Sequence, residues 1–361
     1  MHSRAFLRKF KPYEWELSNE QIAARFGLKK ESILRFDTNT SPFVPEELLD
    51  DLVRIIHELP LNQYPDASYA ALRQQVSSYS HLKPGQIVIT NGADEGLDII
   101  GKAYLDAKSH AIISSPTYSL YQDVVKIYGA RYQNVSRVKE FDDNVDIILR
   151  NVTPETKIIF LCSPNNPTGN TTRRDTIEHL LSKADATIVI DEAYYEFSGT
   201  TVADLTQKFD NIIVVRTLSK AFSLAGARVG YILASNKTAK DLNKVRPPNS
   251  VGVIPLKLAE IAMNNTTKMS SLVRIMTKER DRCFKEISSM RGTKVYPSQA
   301  NFLLVKLLGK DPSQVHRFLM SRGLVVRDVS SIPGLRGCLR IGMGTPEQND
   351  TLLKDLGALL H

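Results

Sequence analysis

From about Leu82 to Ile232 the chain alternates short apolar runs with stretches of helical periodicity. The runs are Ile87-Val88-Ile89, Ala111-Ile112-Ile113, Lys157-Ile158-Ile159-Phe160-Leu161, Thr187-Ile188-Val189-Ile190, Ile212-Ile213-Val214-Val215 and Val229-Gly230-Tyr231-Ile232. A strand with one wet face alternates apolar and polar positions. Near-continuous apolar runs belong instead to strands covered on both faces, as in a mainly parallel α/β sheet. Such sheets hold ligands in the loops beyond the carboxyl ends of their strands, so the residues after each run are where chemistry is expected.

The last third follows another pattern. Leu272, Ile275, Met276, Cys283 and Ile287 recur at helical spacing and predict one long helix. After it the pattern predicts a strand through Asn301-Phe302-Leu303-Leu304-Val305 and a helix near Val315 to Met320. Strands at Val325-Val326 and Leu339-Arg340-Ile341 follow, and a final helix opens at Pro346-Glu347 with Leu352, Leu353, Leu356 and Leu359 on it. This reads as a smaller α+β domain, which the first 50 or so residues are expected to join because they precede the α/β pattern. The expected division is therefore 1–50 with the small domain, 51–250 as the large α/β domain, and 251–361 as the rest of the small one. Repeats, low-complexity tracts and Gly/Ser-rich linkers are absent from the sequence.

Composition narrows the picture without redirecting it. A chain of 361 residues, 42% hydrophobic and 24% charged, suits an ordinary soluble globular protein of about two domains. No apolar run is long enough to span a bilayer, and the basic start, Met1 to Lys9, lacks the apolar stretch of a secretory signal. Cys162, Cys283 and Cys338 are odd in number and match no metal-ligand or redox spacing. They read as bystander thiols in a reducing compartment, the cytoplasm. The net charge of +8 is scattered: Lys29-Lys30 and Arg173-Arg174 are short pairs, flanked by Glu31 and Asp175. Without a basic stripe interleaved with aromatics, neither nucleic acid nor membrane is an expected partner. A cationic excess does suit small ligands that carry phosphates and carboxylates.

Four polar clusters follow the runs. Thr217-Leu218-Ser219-Lys220 sits beyond Ile212 to Val215, with Arg228 eight residues after the lysine. A buried lysine amine loses its charge readily and becomes a nucleophile toward carbonyls, and hydroxyls with a guanidinium suit a phosphate. Asp191-Glu192-Ala193-Tyr194 follows Val189-Ile190; its acids suit a metal, a solvated turn or a pyridinium nitrogen. Ser163-Pro164-Asn165-Asn166-Pro167-Thr168-Gly169 follows Leu161 and is a turn signal in its own right. Asn91-Gly92-Ala93-Asp94-Glu95-Gly96 follows Ile89 and leads into a helix whose first amides can cradle a phosphate. Each cluster alone reads as structural. All four at strand ends of one α/β domain point to a site.

Together these phrases resemble the fold-type-I pyridoxal-phosphate (PLP) aminotransferases, and within them the histidinol-phosphate aminotransferase family. Leu218-Ser219-Lys220-Ala221-Phe222 with Ala225-Gly226-Ala227-Arg228, Asp191-Glu192-Ala193-Tyr194, Pro164 to Gly169 and Asn91 to Glu95 carry the likeness. Tyr64-Pro65-Asp66, Pro116-Thr117-Tyr118, Val326-Arg327-Asp328 and Leu339-Arg340-Ile341 extend it in the same order, from about Tyr13 to the C-terminus.

The resemblance implies an α/β fold with a mainly parallel sheet of seven-stranded type plus a smaller α+β domain. It implies pyridoxal 5'-phosphate bound as a Schiff base on Lys220, with Asp191 on the pyridine nitrogen and Tyr194 and Asn166 on the ring's phenolic oxygen. Tyr118 would stack on one ring face and Ala193 close the other. Ala93, Asp94, Thr217, Ser219 and Arg228 would hold the phosphate, and Tyr64 would reach the phosphate of a neighbouring subunit, which implies a homodimer with shared sites. Arg340 would take the substrate carboxylate and Arg327 the substrate phosphate, with Tyr13 and Asn301 also on the substrate side. The implied reaction converts L-histidinol phosphate and 2-oxoglutarate to imidazole acetol phosphate and glutamate.

The chain departs from the family near its start. Asn39-Thr40-Ser41-Pro42-Phe43 stands where relatives usually show Asn-Glu-Asn-Pro, and Lys11-Pro12-Tyr13-Glu14-Trp15 keeps only the Pro-Tyr of the entry phrase. Trp15, the only tryptophan, is expected in the core. These departures leave the cofactor expectations intact and bear on the substrate. They favour an aromatic amino-acid aminotransferase as the alternative, with a threonine-phosphate decarboxylase-like enzyme behind it. A PLP-fold transcriptional regulator is disfavoured, since the first 35 residues leave no room for a DNA-binding domain.

Overall fold

The continuous apolar runs lie side by side as the strands of one sheet. The computed structural model describes Phe10 and residues 17–360, so Tyr13 and Trp15 lie outside the described residues. In chain order the strands are β1 (Leu34–Arg35), β2 (Ile87–Thr90), β3 (His110–Ser115), β4 (Arg131–Ser136), β5 (Thr156–Cys162), β6 (Thr187–Asp191) and β7 (Ile212–Thr217). They continue as β8 (Gly230–Ala234), β9 (Thr293–Tyr296), β10 (Phe302–Leu307), β11 (Leu324–Val325), β12 (Arg327–Asp328) and β13 (Cys338–Gly342). Seven of them form the large sheet in the order β2-β8-β7-β6-β5-β3-β4. Only β8 runs against its neighbours; the other pairings are parallel. This is the expected mainly parallel α/β architecture.

Side chains along a strand alternate between faces, and both faces here are covered. Ile188, Ile190, Ile212 and Val214 pack with Leu72, Val76, Ile177 and Leu180 from helices on one side. Val189, Ile213 and Val215 pack with Leu97, Ile100, Val124 and Leu242 on the other. Every residue of β2, β6, β7 and β8 is buried as a result. The exception, β4, was not visible as an apolar run. It is an edge strand, Arg-Tyr-Gln-Asn-Val-Ser, with mostly exposed or half-exposed side chains, and edges tolerate polar composition.

A second, antiparallel sheet has the order β12-β13-β10-β9. Leu303, Val305, Leu339 and Ile341 from it meet Cys283, Ile287, Val315, Leu319, Leu352 and Leu356 from helices Thr266–Ser289, Pro312–Ser321 and Pro346–Leu360. The long helix is present with Met276, Cys283 and Ile287 buried as expected, but Ile275 is exposed and Val273 is buried instead. The strand expected at Val325-Val326 is split into β11 and β12, with Val326 between them. β1 pairs in parallel with β11, Leu34 opposite Leu324, and so leads the following segment, 36–40, onto the end of the large sheet. Among the described residues no helix is long and apolar enough to cross a membrane.

Strand alternation also separates the two acids at the end of β6. Glu192 turns away from Asp191 and is buried against Arg216, whose Nε and Nη2 donate to Glu192 Oε2 at 2.9 and 2.8 Å. The Tyr195 ring lies 3.6 Å from this guanidinium, and the Thr201 hydroxyl donates to Glu192 Oε2 at 2.8 Å. A charge buried on one side of such a pair is tolerable only with its partner. Arg216→Ala is therefore expected to lose about 3–5 kcal/mol of stability, read as a lower denaturant midpoint. Replacing both residues with apolar side chains is expected to cost markedly less.

Candidate active site

The loops beyond β2, β3, β5, β6 and β7 open on one edge of the large sheet, and the reversed β8 starts at that same edge. They enclose a cavity of about 590 Å3. Its walls are Asp37, Thr38, Asn39, Ala93, Asp94, Tyr118, Leu120, Cys162, Asn166, Asp191, Ala193, Tyr194, Thr217, Ser219, Lys220, Arg228 and Arg340. The four polar clusters read from the sequence thus meet in one place.

At the floor, Asp191 ends β6 and is buried. Its Oδ1 accepts the Ala193 N–H at 3.0 Å and its Oδ2 accepts the Tyr121 hydroxyl at 2.7 Å. Both donors are neutral, so burial prevails and lifts the carboxyl to about 6. Tyr121 is itself fully buried, stacked on Phe160 with centroids 5.0 Å apart. The Lys220 Nζ, on the same cavity, donates to the Thr38 carbonyl at 3.0 Å. Burial, followed by the nearby charge of Arg340, lowers this amine from 10.5 to about 8. The Tyr194 phenol is held above its ordinary range by burial, and its oxygen accepts from Asn39 Nδ2 at 3.2 Å. Arg340 donates through Nη1 to Asn166 Oδ1 at 2.8 Å and through Nη2 to the Asp37 carbonyl.

One end of the cavity is a cradle for an anion. The Thr217 hydroxyl donates to Ser219 Oγ at 2.9 Å, and Arg228 Nη1 reaches the same Ser219 oxygen at 3.4 Å. Arg228 Nη2 pairs with Asp94 Oδ2 at 3.1 Å, while the Tyr118 hydroxyl donates to Asp94 Oδ1 at 3.2 Å. The helix Gly92–Tyr104 starts here, and the first amides of a helix have no partner within it. Gly230 allows this approach: a Cβ on it would stand 2.6 Å from the Gly92 carbonyl carbon and 2.8 Å from the Ala93 nitrogen. Gly92 has φ +78°, and a Cβ there would meet Arg228 Nη2 at 2.8 Å.

Three of the expected site residues that the structure describes are not on this wall. Tyr64 is 87% exposed and not on the cavity wall. Arg327 is half-buried on β12, directly opposite Arg340 on β13, and is also not on the wall. Asn301 is fully buried one shell back, its Nδ2 donating to the Asn39 carbonyl at 3.0 Å. Tyr13 falls outside the described residues. Conversely, sequence reasoning did not single out Tyr121, Leu120, Cys162, Asp37 or Thr38 as wall or support, whereas Asn39 stood in the segment expected to bear on the substrate. Tyr121 follows Pro116-Thr117-Tyr118 by three residues, which is the one signal that could have flagged it. All three cysteines are buried and free, and Cys162 is pushed up to about 12 by burial.

A buried carboxyl, a lysine of lowered proton affinity and an anion cradle on this fold define the class: a PLP-dependent aminotransferase. The family model for aminotransferase class I and II matches residues 31–356. The histidinol-phosphate aminotransferase of Thermoanaerobacter pseudethanolicus is 37% identical over 328 residues, which cover 90% of this chain and 93% of the relative. That of Methanocaldococcus jannaschii is 35% identical over 369 residues, covering 99% and 97%. The crystal structure of histidinol-phosphate aminotransferase from Sinorhizobium meliloti, in complex with pyridoxal-5'-phosphate, has the same fold, with a TM-score of 0.88 and 24% identity over 100% of this chain and 98% of that one. The chain belongs to the class I and II aminotransferases and, within them, to the histidinol-phosphate aminotransferase family.

The residues present fit the cofactor. Among the described residues Asp191 has only two donors, both neutral, and is a ready acceptor for a ring N–H, and the Thr217, Ser219 and Arg228 groups converge on the helix start.

Two outcomes are expected. In the cofactor-free protein, Lys220 is expected to react with an amine-directed reagent at half-maximal rate near pH 8, because the neutral nucleophile accumulates as pH rises through its pKa. A profile centred near that of an exposed lysine would refute the geometry. Gly230→Ala is expected to weaken pyridoxal phosphate binding to the apoprotein roughly tenfold or more, measured by absorbance titration.

Proposed function

We propose that the enzyme transfers the amino group of L-histidinol phosphate to 2-oxoglutarate, yielding imidazole acetol phosphate and glutamate. The observation that carries this is the near full-length identity with relatives named histidinol-phosphate aminotransferase. The two arginines support it. Residues directly opposite in an antiparallel ladder project to the same face, so Arg327 stands beside Arg340, giving one cation for a carboxylate and one for a phosphate.

When bound, pyridoxal phosphate supplies a carbonyl for the donor's amine and a ring that draws electrons from the substrate Cα. Asp191 would hold a proton on the ring nitrogen, whose positive charge favours the carboxylate that burial alone disfavours. Tyr194 and Asn166 address the ring's phenolic oxygen, while Tyr118 and Ala193 cover its faces. The Ala93 and Asp94 amides, Thr217, Ser219 and Arg228 hold the phosphate. Lys220 Nζ would hold the cofactor and serve as the acid–base group for the proton on the substrate Cα. Arg340 takes the substrate carboxylate, Arg327 the substrate phosphate, and Tyr13 and Asn301 belong to the substrate side.

The same reading makes the enzyme a cytoplasmic homodimer in which exposed Tyr64 reaches the phosphate bound by a second copy. It divides the chain into a large unit, 51–250, and a small unit of 1–50 with 251–361.

The test is a single-turnover titration of the loaded enzyme with L-histidinol phosphate, phenylalanine or tyrosine, followed by loss of the cofactor's visible absorbance. Histidinol phosphate is expected to act at the lowest concentration; preference for the aromatics would move the donor to that class. Arg327→Ala is expected to lower kcat/KM for histidinol phosphate roughly 10- to 100-fold, as for a lost charge-assisted contact, with phenylalanine nearly unaffected. Equal losses on both would refute a phosphate role for Arg327.

A further inference from the structure

The segment after β1 crosses the cavity wall with Asn39 buried, 2% exposed. Its φ of 52° lies in the left-handed region, which asparagine tolerates better than most side chains. This backbone turn aims its two polar ends in different directions. The Asn39 carbonyl accepts Asn301 Nδ2 at 3.0 Å, and Asn39 Nδ2 donates to the Tyr194 oxygen at 3.2 Å. Asn301 is anchored in turn, its carbonyl accepting the Met343 N–H at 3.0 Å. A hydrogen-bonded line therefore runs from the start of β10 to the phenol of Tyr194.

A phenolic proton lies in the ring plane, in one of two positions on either side of the oxygen. The Tyr194 ring is fixed edge-on to Phe302, centroids 5.2 Å apart at 85°. With the ring fixed and an N–H already aimed at one side of the oxygen, the proton is left the other side. The charged groups around this phenol are Arg340, Asp191 and Lys220, with the Cys162 thiol beside them.

We propose that Asn39 is a positioning residue: its amide occupies the Tyr194 acceptor site and turns the phenolic proton into the cavity, toward the cofactor's phenolic oxygen. This rests on the role given to Tyr194 above. A proton donated to that oxygen stabilises its negative charge and so lowers the pKa of the nitrogen that links Lys220 to the cofactor. Loss of the donation raises it.

The experiment is a pH titration of the visible absorbance of substrate-free, cofactor-loaded enzyme. Asn39→Gly removes the amide and keeps the left-handed backbone accessible, so the pKa of the absorbance change is expected to rise by about 0.5 to 1 unit, the size of one neutral hydrogen bond. Asn39→Asp, close to isosteric, is expected to raise it further, because a carboxylate accepts the phenolic proton and draws it from the cofactor. In a Tyr194→Phe background Asn39→Gly is expected to add no shift. The proposal is overturned if Asn39→Gly leaves the pKa unchanged, lowers it, or shifts it equally without the tyrosine hydroxyl. A Tyr194→Phe variant whose titration matches the wild type refutes the role of Tyr194 itself, and the proposal falls with it.

Discussion

Everything in the cavity is arranged around two ionisable groups of opposite charge taken out of water together. Burial lifts the Asp191 carboxyl to about 6 and, with Arg340, brings the Lys220 amine to about 8. Each shift reflects a penalty on the charged form. Among the described residues neither group has a full counter-ion at hydrogen-bond distance: Asp191 is held by a phenol and a backbone amide, Lys220 by a carbonyl. A ligand with a protonatable ring nitrogen and an aldehyde relieves both at once. The dryness that makes this possible comes from the sheet, whose strands are covered on both faces up to their last residue.

That coverage is also why so much of the fold was legible. Strands buried on both faces have to be apolar throughout, and the six runs all became strands of the large sheet. β4 was hidden because an edge strand carries no such demand. Ile275 fits helical spacing yet faces solvent, since periodicity names a stripe and not its borders. The direction of β8 was invisible for another reason: an apolar run reads the same either way. Only the connection from 218 to 229 hints at it, twelve residues with a single 3-10 turn where a parallel crossover needs a helix.

The site was legible where side chains carry the chemistry and illegible where the backbone or second neighbours do. Lys220, Asp191, Tyr194, Asn166 and Arg228 follow apolar runs, and the topology gathers them around one cavity. The carbonyls of Asp37 and Thr38, which receive Arg340 and Lys220, have no signature in any sequence. Tyr121 looks like a core aromatic until its hydroxyl is seen on Asp191. Asp191 and Glu192 are equivalent as letters. Only the alternation at the end of β6 sends one to the cavity and the other to Arg216.

The reversal of β8 gives the loop 218–229 an unusual economy. It leaves the sheet at Thr217 and returns to the same edge at Gly230, where Leu218 N–H meets the Val229 carbonyl at 2.9 Å. Lys220 and Arg228 are therefore carried on a single closed omega of chain, pinned at its neck. The reactive amine and the arginine of the phosphate grip thus share one neck, while Thr217 and the start of helix Gly92–Tyr104 approach from outside the loop. For recombination between relatives, that makes the loop a cassette: it can be exchanged whole, from strand to strand, but not cut within.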